Sequence, residues 1–283
     1  MTLVTEPLAT GAPRAERRRY AIRLWDALPL AFLILVAAMI VAPTAIAPYD
    51  PLQEDPALPL AGPSPAHPFG TDYIGRDLLS RVIAGTGATI AGSFIAVVIG
   101  LVVGTVLGLV AAYFGRVTDG VISRLVDVLL SIPTLLLSIT IVVALGFGTV
   151  NAAIAVGVSS IAVFARLARS EVLATRHLPF VEASEHLGAS HVTLLFRHVL
   201  PNSYSAVLSL AALQFGTAIL AIASLSFLGY GAQPPEPEWG LLISEARNYI
   251  NSAPGLVLYP SLAIVLTVTS LARVAHLIRR KVA

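Results

Sequence analysis

The chain has 283 residues, 56% of them hydrophobic and only 12% charged, with a formal charge of +2 and a mean hydropathy of +0.83. Soluble domains carry about 25% charged residues, so this composition excludes an ordinary globular protein and points to an integral membrane one. The small net charge argues against a nucleic-acid partner, and the absence of cysteine excludes disulfides, thiolate metal sites and a cysteine nucleophile.

Residues 1–26 read as a polar tail in which Arg14, Arg17, Arg18, Arg19 and Arg23 precede the first apolar run. Residues 27–48 are the first expected transmembrane helix. Ala45-Ile46-Ala47 resembles a signal-peptide cleavage site, but the long charged leader and Pro48 favour a retained helix. Residues 49–87 form a loop rich in proline, extended at first because each proline fixes φ and biases its predecessor away from helix. From Thr71 a short surface helix is expected to lead into the second span, about 88–113. That span places Ala88, Gly92, Ala96, Gly100, Gly104, Gly108 and Ala112 at every fourth position, a stripe that admits another helix to close packing within the molecule. A short turn with Arg116, Asp119 and Arg124 precedes the third span, about 125–145, which Pro133 should kink. Gly146-Phe147-Gly148 then turns the chain into a fourth span, about 150–168.

The stretch Phe180–Asn202 is unusually polar for this chain and reads as two short amphipathic helices joined at Gly188. Pro179 suits a first helical turn and Gly188 a left-handed cap. Phe180, Ala183, Ser184 and Leu187 share one face; Ser190 can cap a second helix with the stripe Val192, Leu195, Phe196 and Val199, closed by Leu200-Pro201. Such a pair needs an apolar receptor, either the membrane surface or a groove on a partner. A fifth span follows at about 204–228, then a loop over 229–256 with a short helix near 239–251. A sixth span at about 257–278 and a tail at 279–283 complete an all-α membrane protein of six helices, its core being 88–278 and its polar connection 170–202.

Charge tests this layout. With the N-terminus in the cytoplasm, 15 of the 18 basic residues fall on cytoplasmic segments and only Arg76, Arg81 and Arg247 fall outside; the reverse orientation violates the positive-inside rule. Both termini and the 180–202 stretch are then cytoplasmic, and the loops 49–87 and 229–256 are external.

Chemistry of its own is sparse. No G-x-x-x-x-G-K-[ST] phosphate loop occurs, and the histidines lack metal-ligand spacing. Serines within the spans, such as Ser131 and Ser159, lie in no G-x-S-x-G elbow and have no intramembrane histidine as a base, which leaves a hydrolase reading weak. The spans carry almost no ionisable residues of the kind that mark an ion or proton path, which weakens the rival reading of an ion-driven transporter or channel. Gln214 is the polar side chain expected deepest in the bundle and the candidate pathway residue. The membrane region reads as a passive pathway powered from elsewhere.

Glu182-Ala183-Ser184, Gly188 and Leu200-Pro201 resemble the cytoplasmic E-A-A-x3-G-x9-I-x-L-P loop of bacterial ABC importer permeases, with Ser184 for the usual Ala and His198 for Ile. Three more stretches resemble the second, "C"-type permease subunit of the peptide/nickel subgroup. They are His67-Pro68-Phe69-Gly70-Thr71-Asp72 with Gly75-Arg76-Asp77-Leu78-Leu79-Ser80-Arg81, then Arg124–Leu130, then Ala223–Gly229 continuing to Trp239-Gly240. Together they cover about residues 67–270; the ending Leu271–His276 departs from the subgroup.

The resemblance implies a type I importer bundle in the bacterial inner membrane, paired with a second, homologous permease subunit. It implies two ATPase subunits beneath, which carry ATP and Mg while this chain binds no cofactor and catalyses nothing, and an extracytoplasmic substrate-binding protein. Phe180, Glu182, Ala183, Leu187, Gly188, Val192, Phe196, Leu200 and Pro201 would form the ATPase-coupling loop. Tyr230 and Trp239 are candidates for docking the binding protein, Trp239 being equally a candidate membrane-interface anchor. Di- or oligopeptides are the first substrate expectation, with nickel chelates, glutathione-like or other small solutes as alternatives.

Overall fold

The computed structural model describes residues 24–176, 178–188, 193, 197 and 200–282, without the side chains of 24–26, 182, 185, 200–205 and 278–282. The expected N-terminal tail therefore lies almost wholly outside the described residues. Among those described, the regular elements are helices: α1 (Leu24–Val41), α2 (Pro43–Ile46), α3 (Leu78–Phe114), α4 (Arg116–Ser131), α5 (Thr134–Leu145), α6 (Thr149–Arg176), α7 (Pro179–His186), α8 (Leu200–Phe227), α9 (Trp239–Ala246) and α10 (Gly255–Val282). Four of them, α3, α6, α8 and α10, are long and apolar enough to cross a membrane, and α4 with α5 makes a fifth, bent candidate.

The expected count of six is not reached among the described residues: four spans and one bent pair give at most five, and the first expected span is a shorter apolar helix, Ala27–Val41. The first expected span, 27–48, stops early because Ala42 leaves helical geometry (φ −136°, ψ 58°) ahead of Pro43, which opens α2; the residue before a proline disfavours the helical region. The same rule corrects the third span. Ile132 is extended (φ −90°, ψ 128°), and the helices on either side of Ile132-Pro133 meet at 96°, so the chain breaks there where a kink was expected. The expected turn at Arg116–Arg124 is itself the start of α4.

The short surface helix expected from Thr71 does not stand apart from the second span. Residues 71–77 form a bridged turn, and helix begins only at Leu78 as the start of α3, 37 residues long, about 55 Å at 1.5 Å per residue. Its start is fixed by Asp77, whose buried carboxylate accepts from the Ser80 backbone N–H at 2.8 Å and from its hydroxyl at 2.7 Å, an N-cap that satisfies otherwise orphaned donors.

The small-residue stripe packs α3 against α6. Gly92 lies beside Ala153, Gly157 against Ala96, Gly104 against Ile161 and Phe164, and Gly108 against Ala165 and Ala168. The pairing advances in the same direction along both helices, so they run parallel. Around them a core of Ala96, Val97, Val142, Ala153, Val156, Phe164, Val207, Ile222 and Leu225 joins α3, α5, α6 and α8. A second core of Leu78, Val82, Ile219, Ala223, Trp239, Leu242, Leu256 and Ile264 joins α3, α8, α9 and α10.

The bundle therefore has two ends. Residues 42–77 and 228–254 gather at one, the loop end, where Phe147 of the α5–α6 turn meets Tyr230. The α3–α4 junction and α7 lie at the other, where Ala112 packs on Val172. Between them Phe94, Val102, Val106, Leu136, Val143 and Val265 stand exposed, an apolar belt that suits lipid.

Candidate functional site

At the α7 end, α6 runs to Arg176 and α7 begins at Pro179, where the missing N–H costs nothing. After α7, Gly188 adopts φ +83°, the left-handed region that residues with a Cβ avoid. Val181 is buried (1% exposed), whereas Phe180 is 46% and Leu187 88% exposed. The expected face of Phe180, Ala183 and Leu187 is thus turned outward. Covering a leucine side chain is worth about 1.5–3 kcal/mol, so this face gains from an apolar partner. Glu182 lies on α7, with its side chain outside the described set. Val192 and Phe196, and with them the expected second amphipathic helix, lie outside the described residues. Leu200-Pro201, expected to close that helix, instead opens α8. Nearby, Arg169 Nη2 meets Asp119 at 2.7 Å and Arg166 meets Asp127 at 2.6 Å, joining α6 to α4.

Between α3, α5, α6 and α8 lies a cavity of about 370 Å³, open on one side, whose polar lining is Thr134, Ser159, Ser160, Gln214, Thr217 and Ser224. Among the described residues, no ionisable side chain lines it. The Gln214 side-chain carbonyl accepts from the Thr217 hydroxyl at 3.2 Å, and Ser138 and Ser159 share a hydrogen bond of 3.0 Å. Several of these hydroxyls are tied to their own helix: Ser159 donates to Ala155 O and Ser224 to Leu220 O. Gln214 is not the deepest polar group, contrary to expectation. It is half-buried because it faces the cavity, while Arg81, Thr86, Thr89, Ser93 and Glu238 are fully buried.

Of those buried groups, Arg81, Thr89 and Glu238 belong to contacts at the loop end that link two segments far apart in sequence. Asp72 accepts from the backbone N–H groups of Ile74 (3.0 Å) and Arg76 (2.9 Å) and from Arg76 Nε at 2.6 Å. Glu245 of α9 accepts from Arg81 Nη2 at 2.8 Å and lies 3.6 Å from Arg76 Nη2; Tyr73 donates to it at 3.4 Å. Two cations face two carboxylates, which offsets part of the desolvation cost; deleting one partner of such a pair costs about 3–5 kcal/mol. Burial, and then the Glu245 carboxylate, push the Tyr73 phenol above its ordinary value of 10.0, so it remains a donor at neutral pH.

Deeper along α3, Glu238 caps α9 by accepting from Leu241 N–H at 2.9 Å and from the Thr89 hydroxyl at 3.0 Å. Trp239 corrects an expectation. It is 1% exposed and its indole N–H donates to Val82 O at 2.9 Å, so it serves neither as a docking residue nor as a membrane-interface anchor. Tyr230 is half-buried, edge-on to Phe147 with ring centroids 5.8 Å apart. In the sequence, Arg76 and Arg81 marked only sidedness, and Glu245 carried no signal. The i, i+4 pair Asp72/Arg76 was the one local signal of the network.

A helical membrane bundle with a central cavity, and a short helix slung between two spans at one end, is the architecture of an importer's membrane component. Residues 104–283 match the family of binding-protein-dependent transport system inner membrane components, and the chain belongs to that family. It is 38% identical to the dipeptide transport system permease protein DppC of Alkalihalophilus pseudofirmus, over 93% of this chain and 91% of that one. It is 42% identical to the glutathione transport system permease protein GsiD of Pectobacterium atrosepticum, over 78% and 71%, and 44% identical to GsiD of Escherichia coli, over 84% and 78%. Among solved structures it resembles the inward-facing MetNI methionine ABC transporter, with a TM-score of 0.61 at 20% identity over 73% of this chain and 98% of that one. An amino acid ABC transporter with histidines gives 0.59 at 17% identity, over 72% and 94%. These neighbours share the fold, that of ABC importer permeases; the family and the apolar helices place the chain as a multi-pass inner-membrane protein.

Proposed function

We propose that this chain is the non-catalytic permease subunit of an ATP-driven importer that moves di- or oligopeptides into the cytoplasm. The substrate class rests on the relatives named for dipeptides and glutathione. An uncharged, hydroxyl- and amide-lined cavity of about 370 Å³ is at the lower end of ordinary ligand pockets, about 300–1,000 Å³, and suits a small polar solute in transit. A second, homologous permease subunit completes the pathway, two ATPase subunits bind ATP and Mg, and an extracytoplasmic binding protein delivers the solute at the loop end. Both termini are then cytoplasmic, in keeping with the distribution of arginines.

The observation that carries the coupling role is α7 itself, which stands off the bundle with Leu187 88% exposed and turns at Gly188 with φ +83°. Seated in an ATPase groove, the segment moves as a lever when ATP closes the ATPase dimer. The attached α6 and α8 then shift the cavity between outward and inward access. Phe180, Ala183, Leu187, Val192 and Phe196 supply apolar contact, Glu182 orients the loop, Gly188 makes the turn, and Leu200-Pro201 sets the entry to α8. Capture of an ATPase subunit by the complex, lost on deletion of 180–202, tests this. Capture undiminished by the deletion would refute it.

A further inference from the structure

We infer that Glu245 is a positioning residue: through Arg81 it joins α9 to α3, and this joint carries the effect of binding-protein docking into the membrane bundle. The inference rests on the reading above, in which a binding protein docks at the loop end.

The geometry is directional. α9 is eight residues long, yet three side chains on it or at its cap reach α3 within two to three turns: Glu245 to Arg81, Trp239 to Val82 and Glu238 to Thr89. Apolar contact from Leu242 and Ala246 adds to the same seam. Glu245 also lies against Arg76 and Tyr73, so the loop over 47–77 is tied to the same carboxylate. The ring of Tyr73 stacks on Tyr249, 5.6 Å between centroids. Both external segments therefore meet α3 at one point, and Glu245 is the group common to the three contacts.

From that point α3 runs unbroken to Phe114. A Cβ on Gly104 or Gly108 would stand 2.5 Å from a carbonyl oxygen of α6, so α3 cannot slide past α6 independently. At its far end Ala112 packs on Val172, one turn before α6 ends at Arg176 and α7 begins. A displacement of α9 is thus passed to α3, to the paired α6 and to α7 through contiguous packed elements, which is the kind of network that carries coupling between sites. Arg81 is 0% exposed, so the joint lies beneath the outer surface, while Gln233–Glu236, in the loop leading into α9, stand exposed. Weakening the joint should lower the response to docking and leave docking itself intact.

The test uses the assembled complex in liposomes, with ATPase rate measured against binding-protein concentration. For Glu245→Gln the ratio of stimulated to basal rate falls by about fivefold or more, the lower end of ordinary coupling between sites, at a half-saturating concentration within about twofold of wild type. Glu245→Asp, which keeps the carboxylate, recovers most of the ratio. A wild-type ratio for Glu245→Gln, or a raised half-saturating concentration with full maximal stimulation, overturns the inference. If Glu245→Gln does not assemble, Trp239→Phe decides, since it removes the indole bond to Val82 together with part of the buried ring; an unchanged ratio there overturns the inference and a lowered ratio at unchanged half-saturation supports it. A wild-type complex that the binding protein does not stimulate at all overturns the underlying functional reading instead.

Discussion

Adding one methyl group at Gly104 tests the α3–α6 seam on which the bundle is built. A Cβ there would stand 2.5 Å from Ile161 O, 2.6 Å from the Phe164 Cβ and 3.1 Å from Ala165 N. Backbone atoms dominate the clash, so no rotamer change relieves it. To restore ordinary contact the helices must part by roughly 0.8 Å, and a gap of 0.5–1 Å forfeits about a quarter to a half of each dispersion well along the seam. Overpacking of this kind costs about 1–3 kcal/mol. Gly108→Ala meets Ala165 O at 2.5 Å and Arg169 N at 2.9 Å and should cost about the same. Because both substitutions demand the same separation, the double variant should lose less than the sum. At Gly100 the nearest atom is the Ser160 hydroxyl, which can swing away, so Gly100→Ala should be milder. Gly120→Ala has nothing within 4 Å and sits in the exposed interior of α4, where alanine gains up to about 1 kcal/mol over glycine. Unfolding of the purified complex in detergent, by heat or SDS titration, should rank Gly120→Ala at or above wild type, then Gly100→Ala, then Gly104→Ala and Gly108→Ala. Gly104→Ala as stable as Gly120→Ala would refute the seam.

At Gly188, φ +83° makes a β-branched replacement cost about 1–2 kcal/mol locally; Gly188→Val should therefore lower uptake and substrate-stimulated ATPase activity together, and full retention of both counts against the lever. Glu182→Ala should act in the same direction, read by the same two assays. Gln214→Leu removes an amide from the cavity wall and should slow peptide uptake in proteoliposomes with assembly by size-exclusion chromatography intact. Asp127→Asn breaks a pair whose side chains are 60% and 61% exposed, worth at most about 1 kcal/mol in water-facing positions, so its unfolding midpoint should barely move.

Much of this architecture is legible in the chain because lipid imposes strong rules. Long uncharged runs announced α3, α6, α8 and α10, and the four-residue spacing of small residues announced the helix pairing, since only glycine and alanine permit backbones to approach this closely. Prolines were legible in position and illegible in degree. Pro133 signals a weak point, but the 96° break depends on what packs on each side. In the apolar run from 27, Pro43 was a readable stop that the long hydrophobic pattern overshadowed; α1 ends at Val41, just ahead of it. The loop-end network was the largest omission. Arg81 and Glu245 are 164 residues apart, and nothing local marks them as partners, so the loop over 229–256 gave no sign of a buried ionic contact. Trp239 misled for the same reason: a tryptophan in a polar loop suggests a surface, whereas Gly85 and Gly240 leave room for α9 to sink between α3 and α8. For α7, the capping proline and the glycine turn were readable from residue chemistry alone, because both act through their own backbone.

One reconstitution tests whether this permease is powered by partners and fed from outside. Proteoliposomes carrying this chain, its permease partner and the ATPase subunits should accumulate a labelled dipeptide only with ATP inside and the peptide-loaded binding protein outside. Uptake by this chain alone, driven by an ion gradient without ATP or binding protein, would contradict it.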